Sequence, residues 1–115
     1  MGKTRIPPTL LALPLGLAIA AAQPVITTQP QPQTKFAGES ALLSVEATGT
    51  PPLSYQWFKA FTPLEGQTNS TLSLTNLQAA DRGTYSVIVS NLEEPVTSTP
   101  VEVIVVTAPR ITPAN

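Results

Sequence analysis

Short segments of alternating apolar and other residues, separated by proline and glycine, constrain this chain most strongly. In the clearest case, Ala41, Leu43 and Val45 alternate with more polar neighbours, and this period of two is typical of a strand with one buried face. The segment stops at Gly49–Pro52, because two prolines cannot donate to a strand ladder. About seven such segments, with turn residues every 8–12 positions, predict an all-β sandwich of seven to eight strands. The clearest are Val25–Thr28, Ala41–Thr48, Leu53–Phe58, Thr71–Thr75, Tyr85–Ser90 and Val101–Val106.

The first 22 residues have a different pattern. Lys3 and Arg5 precede an uncharged run, Leu10–Ala22, that ends in three alanines. This is the layout of a secretory signal peptide, which predicts cleavage after Ala22 and a secreted, cell-surface or periplasmic protein. The alternative is an uncleaved membrane anchor, but 13 helical residues reach only about 20 Å across a hydrocarbon core of about 30 Å.

Composition excludes several classes of function. The 115 residues include no cysteine and no histidine, so the usual zinc, iron–sulfur and haem sites and the Ser–His and Cys–His pairs are excluded. Residues 23–115 hold four basic and seven acidic residues, a net charge of −3, which argues against binding nucleic acid. Their longest uninterrupted apolar run, Val103–Val106, is too short to span a membrane. We expect no cofactor.

Two spacings specify the kind of sandwich. Trp57 lies twelve residues after Val45, and Asp81–Val87 has the form Asp-x-Gly-x-Tyr-x-Val. Between about Pro24 and Val106, the chain resembles the immunoglobulin-like family of the I-set type, in the cysteine-free form found as repeats in secreted bacterial proteins. The most specific parts of the resemblance are Gly49–Trp57, Leu72–Leu77 and Asp81–Asn91.

The resemblance implies a Greek-key β-sandwich in which Val45 and Val87 stand where the family has its inter-sheet disulfide. That bridge would close a 42-residue loop and contribute about 4 kcal/mol, so this domain depends on its apolar core instead. The resemblance also implies a tyrosine corner made by Asp81, Gly83 and Tyr85. The expected core residues are Val45, Trp57, Leu72, Leu74, Tyr85 and Val87.

The acidic residues do not indicate catalysis. Most of the seven lie at predicted turns or outward strand positions, where solvated surface charge is the ordinary role. Glu93 and Glu94 are adjacent, but too few oxygen ligands accompany them for the six to eight that Ca²⁺ takes. We therefore predict no catalytic residue and no metal site.

Binding is the function that the sequence leaves open. Phe58, Ile88 and Ile104 alternate with predicted core positions and fall on the outward face of one sheet, while Glu93 and Glu94 fall in a turn at the end of the sandwich. These residues are the candidate contacts for a protein or carbohydrate partner. The alternative is that the apolar ones only cover the sheet and reflect strand propensity.

The last residues repeat an earlier segment. Ala108–Pro113 resembles Gln23–Thr28 at a separation of 85 residues, which indicates either the start of a further repeat or a chance match. The predicted organisation is a signal peptide (1–22), an immunoglobulin-like domain (23–107) and a tail (108–115). Two functions follow: an exported binding or adhesion module, or a spacer repeat of a larger extracellular protein beside similar domains. Asn69 begins a glycosylation sequon that is accidental in a bacterial host.

Overall fold

The computed structural model describes residues 21–107. The predicted signal peptide, residues 1–22, therefore falls almost wholly outside the described residues, and the predicted tail, residues 108–115, falls outside them entirely. The described residues form ten strands and one single-turn 3-10 helix, Ala79–Asp81. The strands are β1 (Val25–Thr28), β2 (Gln33–Phe36), β3 (Ala41–Ser44), β4 (Glu46–Thr48), β5 (Ser54–Lys59), β6 (Thr62–Pro63), β7 (Thr71–Leu74), β8 (Gly83–Ser90), β9 (Val96–Thr97) and β10 (Val101–Val106).

The larger sheet has the order β2-β10-β8-β5-β6, with β9 also paired to β8. At its centre, β5 and β8 run antiparallel from the pair Ser54 and Ser90 to the pair Lys59 and Tyr85. On the far side, β10 is antiparallel to β8 and parallel to β2. Because alternate residues of β8 are apolar, one face of this sheet is buried and the other faces outward.

The second layer consists of two antiparallel pairs, β1 with β4 and β3 with β7. Strands β3 and β4 occupy the single predicted strand Ala41–Thr48 and are interrupted only at Val45. The side chain of Val45 is buried, and its amide donates to the carbonyl of Ser70 at 3.0 Å. The two pairs therefore form one continuous layer through residues 41–48.

The all-β, immunoglobulin-like sandwich fold is confirmed, but the described residues contain more strands than the seven to eight predicted. Strand β2 begins inside the proline-rich stretch that was expected to break the first strand, and it pairs with β10. Strand β9 is a two-residue piece beside β8. Strand β6 is the third addition and pairs with the end of β5. These short additions arise from pairing between distant segments, which local alternation does not reveal.

The core lies between the two layers and surrounds Trp57. This side chain is 0% exposed, and its indole nitrogen donates to the Asn69 carbonyl at 2.8 Å, so the burial leaves no unpaired donor. Val45 and Val87, at the positions of the family's disulfide, both belong to the buried cluster. Leu74 is only partly buried and packs against its edge. The buried members of the cluster are Ala41, Leu43, Val45, Trp57, Leu72, Leu77, Tyr85, Val87, Val101, Val103 and Val105.

The turn that leads into β8 is closed by Tyr85. Its hydroxyl donates to the Asp81 carbonyl at 2.6 Å. The Lys59 ammonium lies 5.9 Å from the centre of the Tyr85 ring and donates to the Ala80 carbonyl. Gly83 lets Lys59 cross at this point: its φ is +154°, and a Cβ on Gly83 would lie 2.9 Å from Lys59 Cε. Asp81, Gly83 and Tyr85 thus meet at one corner of the sandwich.

No helix within residues 21–107 is long and apolar enough to cross a membrane. The 3-10 turn Ala79–Asp81 is held by its own cap, in which the Asp81 carboxylate accepts from the Gln78 amide at 2.8 Å. The predicted single turn of helix at Leu77–Asp81 therefore corresponds to a real but very short element.

We expect Trp57→Ala to lower the free energy of unfolding by about 3–5 kcal/mol, because it removes the largest fully buried side chain and leaves a cavity. Urea denaturation followed by circular dichroism measures this change. Leu92→Ala is the matched control, because Leu92 is 92% exposed and should change stability by less than about 0.5 kcal/mol. Equal unfolding midpoints for the two variants would contradict the role of Trp57 as the centre of the core.

We expect Tyr85→Phe to lower stability by about 1 kcal/mol near neutral pH, because it removes a partly buried hydrogen bond. Burial, and secondarily the nearby Asp81 charge, raise the pKa of Tyr85 above its ordinary value of 10.0. The stabilisation is therefore fully present below pH 10 and is lost as the pH rises through the higher pKa of the folded state.

The difference in stability between the parent and Tyr85→Phe proteins, measured by denaturation at several pH values, should be constant below pH 10 and shrink above it. A difference that stays constant into the alkaline range would contradict the raised pKa.

Candidate functional site

An apolar groove of about 540 Å³ opens on the outward face of the larger sheet. It lies on the side of the sheet opposite the core, because its strand residues alternate with the buried Trp57, Tyr85 and Val87. We call it the sheet groove. Its lining residues are Phe58, Ala60, Phe61, Thr84, Ser86, Ile88, Thr97, Ser98 and Pro100.

The register of three strands creates the depression. Phe58 of β5 lies directly opposite Ser86 of β8, so a large side chain faces a small one. Ile88 of β8 is paired on its other side with Thr97 of β9. Because Thr84 and Ser86 are small and sit between larger apolar residues, the sheet surface is indented there.

Phe61 lies at the edge of the groove and is 97% exposed. It occupies the tight connection between β5 and β6, where Ala60 has a positive φ of 56°. The Ala60 amide donates to the Thr84 carbonyl at 2.7 Å and so ties this connection to β8. A phenyl ring held almost fully in water by a short, anchored turn is a typical feature of contact surfaces.

The opposite side of the groove is a chain segment that the fold holds in place. Ser98 is 3% exposed and bonds Val87 twice: its amide donates to the Val87 carbonyl at 2.9 Å, and its hydroxyl accepts from the Val87 amide at 3.0 Å. The next residue, Thr99, donates its amide to the Gln29 side-chain carbonyl at 2.9 Å. Pro100 therefore extends from a fixed backbone, and this wall is present before any partner binds.

The chemistry of the groove suits apolar contact. None of its nine lining residues is charged or carries a side-chain amide, and the only polar side chains are four hydroxyls. One of these, on Ser98, already accepts a hydrogen bond from the backbone. The groove contains no general acid, general base or metal ligand. Elsewhere in residues 21–107, no group of three or more acidic side chains is arranged to hold a metal ion.

The five residues predicted from sequence to contact a partner do not form one surface. Phe58 and Ile88 line the sheet groove together. Ile104 is on β10 opposite Thr34 of β2, outside the groove. Glu93 and Glu94 are exposed in the connection between β8 and β9, also outside it.

Sequence reasoning missed Phe61 and Pro100. Both fall between strands, where alternation assigns no face, and only the presence of a large aromatic residue in a tight turn could have indicated Phe61. The hydroxyl residues Thr84, Ser86 and Thr97 carry no sequence signal of their own, since they contribute by being small.

Comparison with known proteins places the architecture. The sequence profile of the immunoglobulin domain family matches residues 23–91. Among solved structures, the complex of a titin M10 mutant with the obscurin-like 1 Ig domain matches with a TM-score of 0.72 at 22% identity, covering 79% of this chain and 100% of that chain. The tandem Ig repeats of Dlar match with a TM-score of 0.71 at 24% identity, covering 77% of this chain and 51% of theirs.

Immunoglobulin domains 1–5 of Sidekick-1 match with a TM-score of 0.70 at 21% identity, covering 77% of this chain and 21% of theirs. The chain thus spans about half of the Dlar fragment and about a fifth of the Sidekick-1 fragment. At these identities the structures support the fold, and the profile match over residues 23–91 supports the family. The chain belongs to the immunoglobulin domain family.

Proposed function

We propose that this chain is an exported, non-catalytic immunoglobulin module that binds a protein partner through the sheet groove. The observation that carries the proposal is the position of Phe61, which is 97% exposed beside a preformed apolar depression. Exposed aromatic residues next to pockets are frequent centres of binding energy in protein interfaces.

The lining favours a protein over a carbohydrate as the partner. A sugar carries many hydroxyl groups, and each one removed from water needs a hydrogen-bonding partner. The groove offers only four hydroxyls, one of which is already engaged with the backbone. Apolar side chains of a protein, by contrast, would bury against Phe58, Phe61 and Ile88 without leaving polar groups unpaired.

Export is supported by the sequence of the first 22 residues, with two basic residues before an apolar run that ends in alanines. The core is consistent with this location, since it replaces a disulfide with Val45 and Val87 and folds independently of the redox conditions outside the cell. The described residues also keep the acidic side chains apart from the groove, which supports a non-catalytic role.

Phe61→Asp should abolish partner capture without unfolding the domain, because the ring is exposed and the substitution puts a charge into an apolar interface. The measurement is quantitative mass spectrometry of proteins retained from the source organism's culture supernatant and surface extract by the immobilised protein. Leu92→Asp is the matched control, because it places the same charge at a residue that is 92% exposed and outside the groove.

A protein retained by the parent and by Leu92→Asp, but lost from Phe61→Asp, would support the proposal. A set of retained proteins that is identical for all three would contradict it. Specific retention of a glycan, lost with Phe61→Asp, would contradict the choice of a protein partner.

A second candidate function is that of a spacer between similar domains, and one observation favours it. Three of the six positions shared by Gln23–Thr28 and Ala108–Pro113 are identical, namely Pro24, Ile26 and Thr27. In the first copy, Pro24 is fully buried, Ile26 packs against the core, and the Thr27 hydroxyl donates to the Glu46 carbonyl at 3.3 Å. The repeat therefore keeps the residues that β1 uses for contact with the domain.

If residues 108–113 can serve as a first strand, then giving β1 their sequence should preserve the fold. The triple substitution Gln23→Ala, Val25→Arg and Thr28→Pro makes this exchange, and we expect it to cost less than about 1 kcal/mol because β1 is an edge strand. Thermal denaturation provides the measurement. The matched control, Ile26→Asp, buries a charge against the core and should cost several times more. An equal loss in both proteins would argue against the spacer.

A further inference from the structure

The residues just before β1 are tied to the far end of the sandwich. The Ala22 amide donates to the Thr50 hydroxyl at 2.7 Å, and the Ala22 carbonyl accepts from the Thr50 amide at 3.1 Å. The same carbonyl accepts from the Asn91 side-chain amide at 2.9 Å. We call these three hydrogen bonds the Ala22 tether. It joins Ala22 to the turn between β4 and β5 and to the residue that follows β8.

Asn91 is the centre of this arrangement. Besides the Ala22 carbonyl, its side-chain NH₂ group donates to the Thr50 carbonyl at 3.0 Å. Its side-chain oxygen accepts from the Glu93 amide at 2.8 Å, which fixes the turn after β8. One side chain thus joins both turns to the segment that enters the domain.

Gly49 shows how closely that segment passes. Its φ is +150°, and a Cβ on Gly49 would lie 3.0 Å from Pro24 Cα, 3.2 Å from the Gln23 carbonyl oxygen and 3.3 Å from the Ala22 carbonyl oxygen. Pro24 itself is fully buried. The turn therefore needs glycine because residues 22–24 lie across it, and Ala22 is part of the folded domain.

A cut between Ala22 and Gln23 conflicts with this packing. It would remove all three bonds of the tether and place a charged amino group on Gln23, directly before the buried Pro24. The scissile carbonyl also accepts two hydrogen bonds in the folded domain, and proteases act on backbone that is free of such bonds.

The sequence contains a second small-x-small site two residues upstream. Ala18-Ile19-Ala20 satisfies the same rule as Ala20-Ala21-Ala22 and follows the same apolar run. A cut after Ala20 leaves Ala21 and Ala22 on the domain, with all three bonds of the tether intact.

We propose that the signal peptide is removed after Ala20, so that the mature chain begins at Ala21. This inference rests on the export that forms part of the proposed function. Docking of Ala22 on the two turns withholds the downstream bond from the signal peptidase, while the upstream site lies before the tether in the chain. The mature domain then keeps the contacts that Gly49, Thr50 and Asn91 make with Ala22.

The test is the intact mass of the full chain after secretion by the source organism or a bacterial expression host. We expect the major exported species to begin at Ala21. Ala18→Leu alters only the upstream site, because Ala20 and Ala22 remain, and should accumulate precursor or shift the cut to Gln23. Ala22→Leu alters only the downstream site and should be processed like the parent, since the side chain of Ala22 is exposed.

A third variant tests whether the tether directs the choice. Asn91→Asp keeps the acceptor for the Glu93 amide but removes the donor to the Ala22 carbonyl, so we expect part of the exported protein to begin at Gln23. A parent protein that begins at Gln23 would overturn the assignment, and so would normal processing of Ala18→Leu to Ala21. An Asn91→Asp product without any Gln23 species would overturn the tether as the cause.

The failure of this inference is distinguishable from the failure of the proposed export. A chain that stays inside the cell, or that leaves it with residues 1–20 attached, contradicts export by a cleaved signal. An exported chain that begins at Gln23 leaves export intact and overturns only the site of the cut.

Discussion

The packing of Trp57 between the two layers is the interaction on which the rest of this domain depends. The side chain is fully buried at the centre of β5, and the valines at 45 and 87 belong to the same cluster. A disulfide at those positions would restrict the unfolded chain, whereas valines stabilise only the folded state by burial. The two layers are consequently joined by apolar contact alone, so loss of packing at Trp57 is not compensated by any covalent link within residues 21–107.

The same strands that form the core also shape the candidate binding surface. In β5 and β8, each residue that points inward is followed by one that points outward, so Trp57 and Val87 determine where Phe58 and Ile88 lie. The groove therefore inherits the rigidity of the core. Its edges are fixed separately, by the Ala60 amide on one side and by the paired bonds of Ser98 with Val87 on the other. A preformed surface of this kind loses little conformational entropy on binding.

Most of the fold could be predicted because alternation and spacing are local properties. The pattern from Ala41 to Thr48 predicted a half-buried strand, and the spacing of Trp57 and Tyr85 indicated the arrangement of the sandwich. The short strands β6 and β9 could not be predicted, since each has two residues and exists only through pairing with β5 or β8. The groove was half predicted: Phe58 and Ile88 follow from alternation, but Phe61 and Pro100 reach it through turns whose path depends on tertiary contacts. Ile104, grouped with them by sequence, is separated from the groove because β10 continues alongside β2.

The parallel pairing of β2 and β10 has a mechanical consequence. Four residue pairs, from Gln33 with Val103 to Phe36 with Val106, join the segment that enters the domain to the segment that leaves it. When parallel neighbours are pulled in opposite directions along their length, the interstrand bonds lie across the force and bear it together in shear. Separating these two strands from their ends therefore requires several bonds to fail at once rather than one after another. The geometry resists tension along the chain, a load that a module anchored at one end and bound to a partner at the other would experience.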